Sequence, residues 1–143
     1  MEADALELNP GFVSRMTRGR PWIRVKVAAS LDGRTALADG RSQWITGSEA
    51  RVDGHRWRAR ACAILTGSGT VRSDDPALTV REVETARQPL RVIVDSGLTI
   101  SPQSKVVGPG SVVFTTSEDE ERREALTDRG AEVVVNGGGG RID

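Results

Sequence analysis

The sequence predicts an α/β domain built on a largely parallel sheet. Three observations carry this prediction. Strand-like runs recur at 24–27, 62–65, 90–97, 112–115 and 131–135, two helix-start signatures stand between such runs, and the order reads β, α, β, turn, β, α, β. With 143 residues and 37% apolar content, the chain is long enough for one domain with a real core.

Residues 1–21 carry the punctuators Asn9-Pro10-Gly11 and Arg18-Gly19-Arg20-Pro21 and little periodicity. They are expected to be a linker or the tail of an upstream domain, with the compact domain over 22–143. Arg24-Val25-Lys26-Val27 alternates polar and apolar, which predicts a first half-buried strand. Ala28, Ala29 and Ser30 then shrink the side chains, so that a flat ligand could approach the backbone. Asp32-Gly33 and Asp39-Gly40 are turn dipeptides, and Ser42, Gln43 and Trp44 add a hydroxyl, an amide and a stacking surface. An ordinary β-hairpin is the competing reading of this stretch.

Thr46 with Glu49 fits a capping box opening a helix to about Ala61, on which Ala50, Trp57 and Ala61 share an inner face. The strand at 62–65 breaks into Thr66-Gly67-Ser68-Gly69-Thr70, a loop rich in hydroxyls and backbone donors. Thr70 is expected to cap a short helical turn through Asp74, Pro76 to stop it, and 78–81 to return extended. After the strand at 90–97 and the next at 112–115, Ser117 with Glu120 predicts a second capping box, and Gly130 a C-cap before the last strand. Gly137-Gly138-Gly139-Gly140 reads as a flexible connector, because no helix follows to aim its donors at a phosphate.

Composition excludes several classes. The formal net charge is zero, against a chain-wide nucleic-acid or membrane-surface role. Cys62 is the only cysteine, so no intrachain disulfide framework exists, and a reducing cytoplasm is expected. No run approaches the roughly 18 apolar residues of a membrane span, and the acidic start lacks a signal's basic flank. One histidine, His55, and one cysteine cannot supply the usual zinc ligands, so no metal is expected. His55 itself is expected on the helix surface. No Ser-His-Asp arrangement or Gly-Lys-Ser/Thr loop is legible, and Asp74-Asp75-Pro76 reads as a capping turn. Arginines crowd the front half, forming either a solvated face or a site for a phosphorylated ligand. What survives is a cleft at strand ends. A protein with so few titratable candidates borrows its reactivity from a cofactor, and no catalytic residue is assigned.

Three ordered motifs carry a resemblance: Lys26-Val27-Ala28-Ala29-Ser30-Leu31-Asp32-Gly33-Arg34, then Ser42-Gln43-Trp44-Ile45-Thr46, then the run Thr70-Val71-Arg72-Ser73-Asp74-Asp75-Pro76-Ala77-Leu78-Thr79-Val80-Arg81. Over about residues 9–135 the chain resembles the reductase half of the bifunctional riboflavin-biosynthesis deaminase/reductase. That resemblance implies a dihydrofolate-reductase-like fold, with a mixed, largely parallel sheet flanked by helices and truncated here to the N-terminal part of the reductase domain. It implies NADPH as cofactor, a phosphorylated aminopyrimidine as substrate, and a homodimer. The reaction implied is reduction of 5-amino-6-(5-phosphoribosylamino)uracil to its ribitylamino product. By motif position, Ala28, Trp44, Thr70, Asp74 and Ser96 are the implied cofactor contacts; Lys26, Ser42, Arg58, Leu78 and Arg81 are the implied substrate contacts. The His-x-Glu and Pro-Cys-x-x-Cys signature of a zinc deaminase is absent, and so is the family's later glycine-rich motif. Two other readings stand beside this one: a paralogue acting on another pyrimidine or pterin, and a non-catalytic nucleotide-binding or assembly module.

Overall fold

The computed structural model describes residues 6–42 and 44–137. Gln43 and Gly138, Gly139 and Gly140 of the expected connector lie outside the described residues. The chain divides into two compact units, Met1–Thr46 and Gly47–Asp143.

In the first unit the stretch expected to be a linker contains a helix, α1 (Pro10–Arg18). Proline is at home in a first helical turn, where its missing N–H would have no intrahelical partner. At the other end Gly19 adopts φ 66° and donates its N–H to the Arg15 carbonyl at 3.0 Å. The expected strand at 24–27 is not formed. No residue of 21–30 joins a strand, and Val25 and Val27 are 79% and 65% exposed. Alternation says which side chains would share a face, but a strand exists only through a ladder partner, and local sequence does not supply one. The two Asp-Gly dipeptides do form turns. Ser30 and Leu37 each donate an N–H to the carbonyl of an arginine four residues on, Arg34 at 2.9 Å and Arg41 at 2.8 Å. Gly33 and Gly40 take φ 79° and 85°. Asp32 and Asp39 hold the arginine Nε atoms at 3.1 and 2.7 Å.

The second unit begins with α2 (Ser48–Arg60), capped by Gly47 without a side-chain bond, so the expected Thr46/Glu49 box does not form. Its inward residue is also not the expected one: Ala50 and Trp57 are exposed, while His55 is 5% exposed. The strands β1 (Ala63–Gly67), β2 (Leu90–Val94), β3 (Ser111–Thr115) and β4 (Glu132–Val135) pair in sequence order, every pair parallel. Parallel neighbours need crossovers. Helix α3 (Ser68–Asp74) follows β1 without an intervening residue, and α4 (Glu120–Thr127) joins β3 to β4. Thr70 is the third residue of α3 rather than its cap. The N-cap of α4 is Asp119, whose carboxylate accepts the Arg122 N–H at 3.1 Å, displacing the expected Ser117 box by two residues. The C-cap of α4 is Asp128, and the expected Gly130 lies two residues on, turning the chain at φ 87°.

The register aligns Thr66, Ile93, Val113 and Val133 across the sheet. Ile93 and Val113 are fully buried and pack with Val71 of α3, Leu126 of α4 and Leu98, Ile100, Val106 and Val107. The last four come from the β2–β3 connection, which has no helix. Its apolar side chains therefore contribute the covering layer that a crossover helix would provide.

Candidate functional site

In parallel sheets, ligands bind beyond the carboxyl ends of the strands, where successive connections leave the sheet. Here those ends carry Gly67-Ser68, Asp95-Ser96, Thr116-Ser117 and Asn136-Gly137. Three of the residues implied as cofactor contacts belong to connections that start there. Thr70 lies exposed on α3, Asp74 is the last residue of that helix, and Ser96 follows β2. The Ser96 carbonyl accepts the hydroxyls of Thr115 at 3.0 Å and Thr116 at 3.2 Å, which ties the outlets of β2 and β3 together. Asp74 is exposed beside Asp75, which has φ 40°. Asp75 accepts the Lys105 N–H at 2.8 Å and pairs with its ammonium at 3.1 Å, and these bonds hold its carboxyl below the usual range.

Arg58 of α2 bonds the segment that carries Leu78 and Arg81. Arg58, one turn after His55 on α2, is half-buried and donates from Nη1 to the Thr79 carbonyl at 3.3 Å. Burial lowers the pKa of its guanidinium, and the nearby charge of Arg81 lowers it further. Arg81 is exposed. Arg58 thus meets the backbone two residues before Arg81, with the charge of Arg81 within electrostatic reach of its partly buried guanidinium, and two such guanidiniums are chemically suited to an anion. Leu78 lies between them in sequence, but its side chain is in the hydrophobic core and its backbone takes φ 53°.

Lys26, Ala28, Ser42 and Trp44 belong to the first unit. Lys26 and Trp44 are exposed; Ala28 and Ser42 are half-buried, outside regular structure. The shallow depression on the first turns of α2, about 400 Å³ and lined by Ser48, Glu49, Val52 and Arg56, contains none of the implied site residues. Among the described residues, no group of three His, Cys, Asp or Glu side chains is placed to hold a metal, and no helix is long and apolar enough to cross a membrane.

Two residues that bond the segment at 79–81 were not legible. His55 was expected on the surface, yet its Nδ1 accepts the Arg81 N–H at 3.3 Å. Its spacing three residues before Arg58 puts both on one helix face and was the available signal. Gln88 bonds both backbone groups of Val80, its Oε1 accepting the N–H at 2.8 Å and its Nε2 donating to the carbonyl at 2.9 Å. Nothing in the sequence marked it.

A family model described as RibD C-terminal domain matches residues 21–143. The chain is 44% identical over 135 residues to the riboflavin biosynthesis protein RibD of Escherichia coli (strain K12), covering 85% of this chain and 37% of that protein. It is 40% identical over 136 residues to the Aquifex aeolicus (strain VF5) protein of the same name, covering 94% and 38%. Among solved structures, Acinetobacter baumannii RibD, form 1, matches with TM-score 0.79 and 39% identity over 94% of this chain and 38% of that one. The Thermotoga maritima diaminohydroxyphosphoribosylaminopyrimidine deaminase/5-amino-6-(5-phosphoribosylamino)uracil reductase matches with TM-score 0.76 and 32% identity, over 95% and 44%. The chain thus spans less than half the length of each.

Proposed function

Because the chain belongs to the RibD C-terminal domain family, we propose that it serves the nicotinamide-dependent reduction of 5-amino-6-(5-phosphoribosylamino)uracil to the ribitylamino product in riboflavin biosynthesis. The observation that carries this reading is that half-buried Arg58 bonds the Thr79 carbonyl at 3.3 Å, on the same short segment as exposed Arg81. A phosphate monoester carries about −1.5 to −2 charge at neutral pH and accepts from guanidinium forks, so it relieves the repulsion between the two. An unphosphorylated pterin would not, which disfavours a paralogue with such a substrate.

A bound nicotinamide cofactor, taken to be NADPH, would supply the hydride for reduction at the former anomeric carbon, with a proton from water completing the reduction. Thr70, Asp74 and Ser96 bring hydroxyl and carboxylate groups to connections leaving the carboxyl ends of β1 and β2, a chemistry suited to ribose and amide groups. Ala28 and Trp44 are the further cofactor contacts in this reading, and Lys26 and Ser42 the further substrate contacts, while Leu78, whose side chain is in the core, would meet substrate through its backbone alone. Arg58 and Arg81 would anchor the phosphate, so that the reacting carbon is placed by a tether remote from it. We place the protein in the cytoplasm, as a homodimer without nucleic-acid or membrane partners.

Calorimetric titration of the chain with 5-amino-6-(5-phosphoribosylamino)uracil, with ribose as the unphosphorylated control, tests the reading. Binding should be saturable for the phosphorylated compound and absent for ribose, and R81A should weaken it about tenfold or more, the scale of one charge-assisted contact. Affinity unchanged in R81A would remove the anion site. NADPH and NADH titrations, followed by cofactor fluorescence, test the choice of nicotinamide.

A further inference from the structure

The backbone at 79–81 is held residue by residue from outside. Arg58 donates to the Thr79 carbonyl at 3.3 Å, Gln88 bonds both the N–H and the carbonyl of Val80 at 2.8 and 2.9 Å, and His55 Nδ1 accepts the Arg81 N–H at 3.3 Å. Residues 79–81 belong to no strand, so side chains do here what a neighbouring strand does in a sheet. The amide of Gln88 offers one donor and one acceptor to a single residue, as a ladder partner would. Val80 is buried beneath this arrangement, while Arg81 is left exposed at its end.

We infer that His55 and Gln88 are positioning residues for the anion site: together they clamp 79–81 extended and set the direction from which Arg81 meets its ligand. This rests on the proposed role of Arg81. The physical argument concerns order. A long guanidinium side chain loses rotamer freedom when it binds, and a backbone left free at its root would add a further loss. Fixing the Arg81 N–H and the preceding residue removes that second loss before the ligand arrives. His55 can accept this bond only through an unprotonated Nδ1, so the clamp requires the neutral imidazole with its proton on Nε2. The surroundings favour that form. The ring is buried, Arg58 on its own helix and Arg81 on the facing segment disfavour a third positive charge, and Glu82 alone opposes them.

The test uses the whole chain, ribose 5-phosphate as probe, and four variants, H55L, H55N, Q88A and R81A. Asparagine carries its Oδ1 where the histidine carries Nδ1 and restores the acceptor; leucine keeps the volume without it. Hydrogen exchange at the Arg81 and Val80 amides reads the clamp without ligand, and calorimetry reads binding. H55L should speed Arg81 amide exchange about tenfold and weaken ribose 5-phosphate binding about fivefold or more, with H55N within about twofold of the unsubstituted chain. Q88A should do the same at the Val80 amide and weaken binding in the same direction. In the unsubstituted chain, affinity should fall faster on acidification than in H55N, a comparison in which the phosphate's own ionisation cancels. Binding that R81A abolishes but H55L and Q88A leave unchanged overturns the inference and spares the anion site. H55N no better than H55L also overturns it, because packing would then be the role of His55. Binding unaffected by R81A, or absent in the unsubstituted chain, overturns the anion site and the inference with it.

Discussion

The carboxylate of Asp95, 1% exposed, accepts the N–H of Ile100 at 2.9 Å, five residues along the chain. Its other oxygen accepts the Thr99 hydroxyl at 2.9 Å, and the Thr99 oxygen in turn accepts from the guanidinium of Arg72 on α3. One buried side chain thereby closes the connection leaving β2 and links it to the helix that follows β1. Replacing it with alanine strands the Ile100 donor in the interior. D95A should lower unfolding free energy by about 2–3 kcal/mol in urea titrations, and D95N by less, because one acceptor remains. Equal stability of D95A and the unsubstituted chain would refute this role.

Gly130 is required by shape as well as by conformation. It adopts φ 87°, and a Cβ there would lie 3.0 Å from Cδ and 3.1 Å from Cγ of the Pro109 ring. G130A should destabilise by about 1–3 kcal/mol, combining left-handed strain with the displaced ring. Gly69 on α3 has open space around it and no positive φ, so G69A should be neutral or stabilising by up to about 1 kcal/mol. Thermal melting of the two variants side by side decides the matter.

Leu126, 1% exposed, is the buried residue of α4 and belongs to the central cluster. L126A removes most of a side chain from a packed interior and should cost about 2–5 kcal/mol. A loss under 1 kcal/mol would mean that α4 is not packed as described.

His55 makes stability depend on pH in a defined direction. Burial, with the charges of Arg58 and Arg81, puts its folded pKa below the ordinary 6.5. The unfolded chain therefore takes up the proton first as pH falls. The contribution of His55 is fully present above pH 6.5 and is lost as pH falls from there through the folded value. Urea midpoints measured between pH 8 and 5 should decline, and H55L should flatten that part of the profile. An unchanged slope in H55L would assign the decline to other groups.

Much of the fold was legible because it follows from local chemistry. The runs at 62–65, 90–97, 112–115 and 131–135 each overlap an observed strand, since β-branched side chains between turn residues suit a buried parallel ladder. Caps were misplaced by one to three residues. Thr46, Ser117 and Thr70 each had the right side chain, but the chain entered its helices at Gly47, Asp119 and Gly67. Several residues within reach can start a helix, and packing selects among them. The helix at Pro10–Arg18 was missed because its punctuators are the residues that cap helices as well as those that break them.

By itself, the sequence determined the parallel α/β unit, its strand runs, the two Asp-Gly turns and the motifs that mark its family. These depend on side-chain type and spacing along the chain, which a sequence states directly. Only the tertiary structure decided that 24–27 is not a strand, that His55 faces inward, and that Gln88 holds Val80. Each of these depends on a partner remote in sequence: a ladder neighbour, the Arg81 N–H 26 residues on, or a backbone eight residues back. The same holds for the meeting of Arg58 with the segment that carries Arg81. The arginines were visible one by one, but the bond from Arg58 to the Thr79 carbonyl exists only once α2 and the segment at 79–81 have folded against each other.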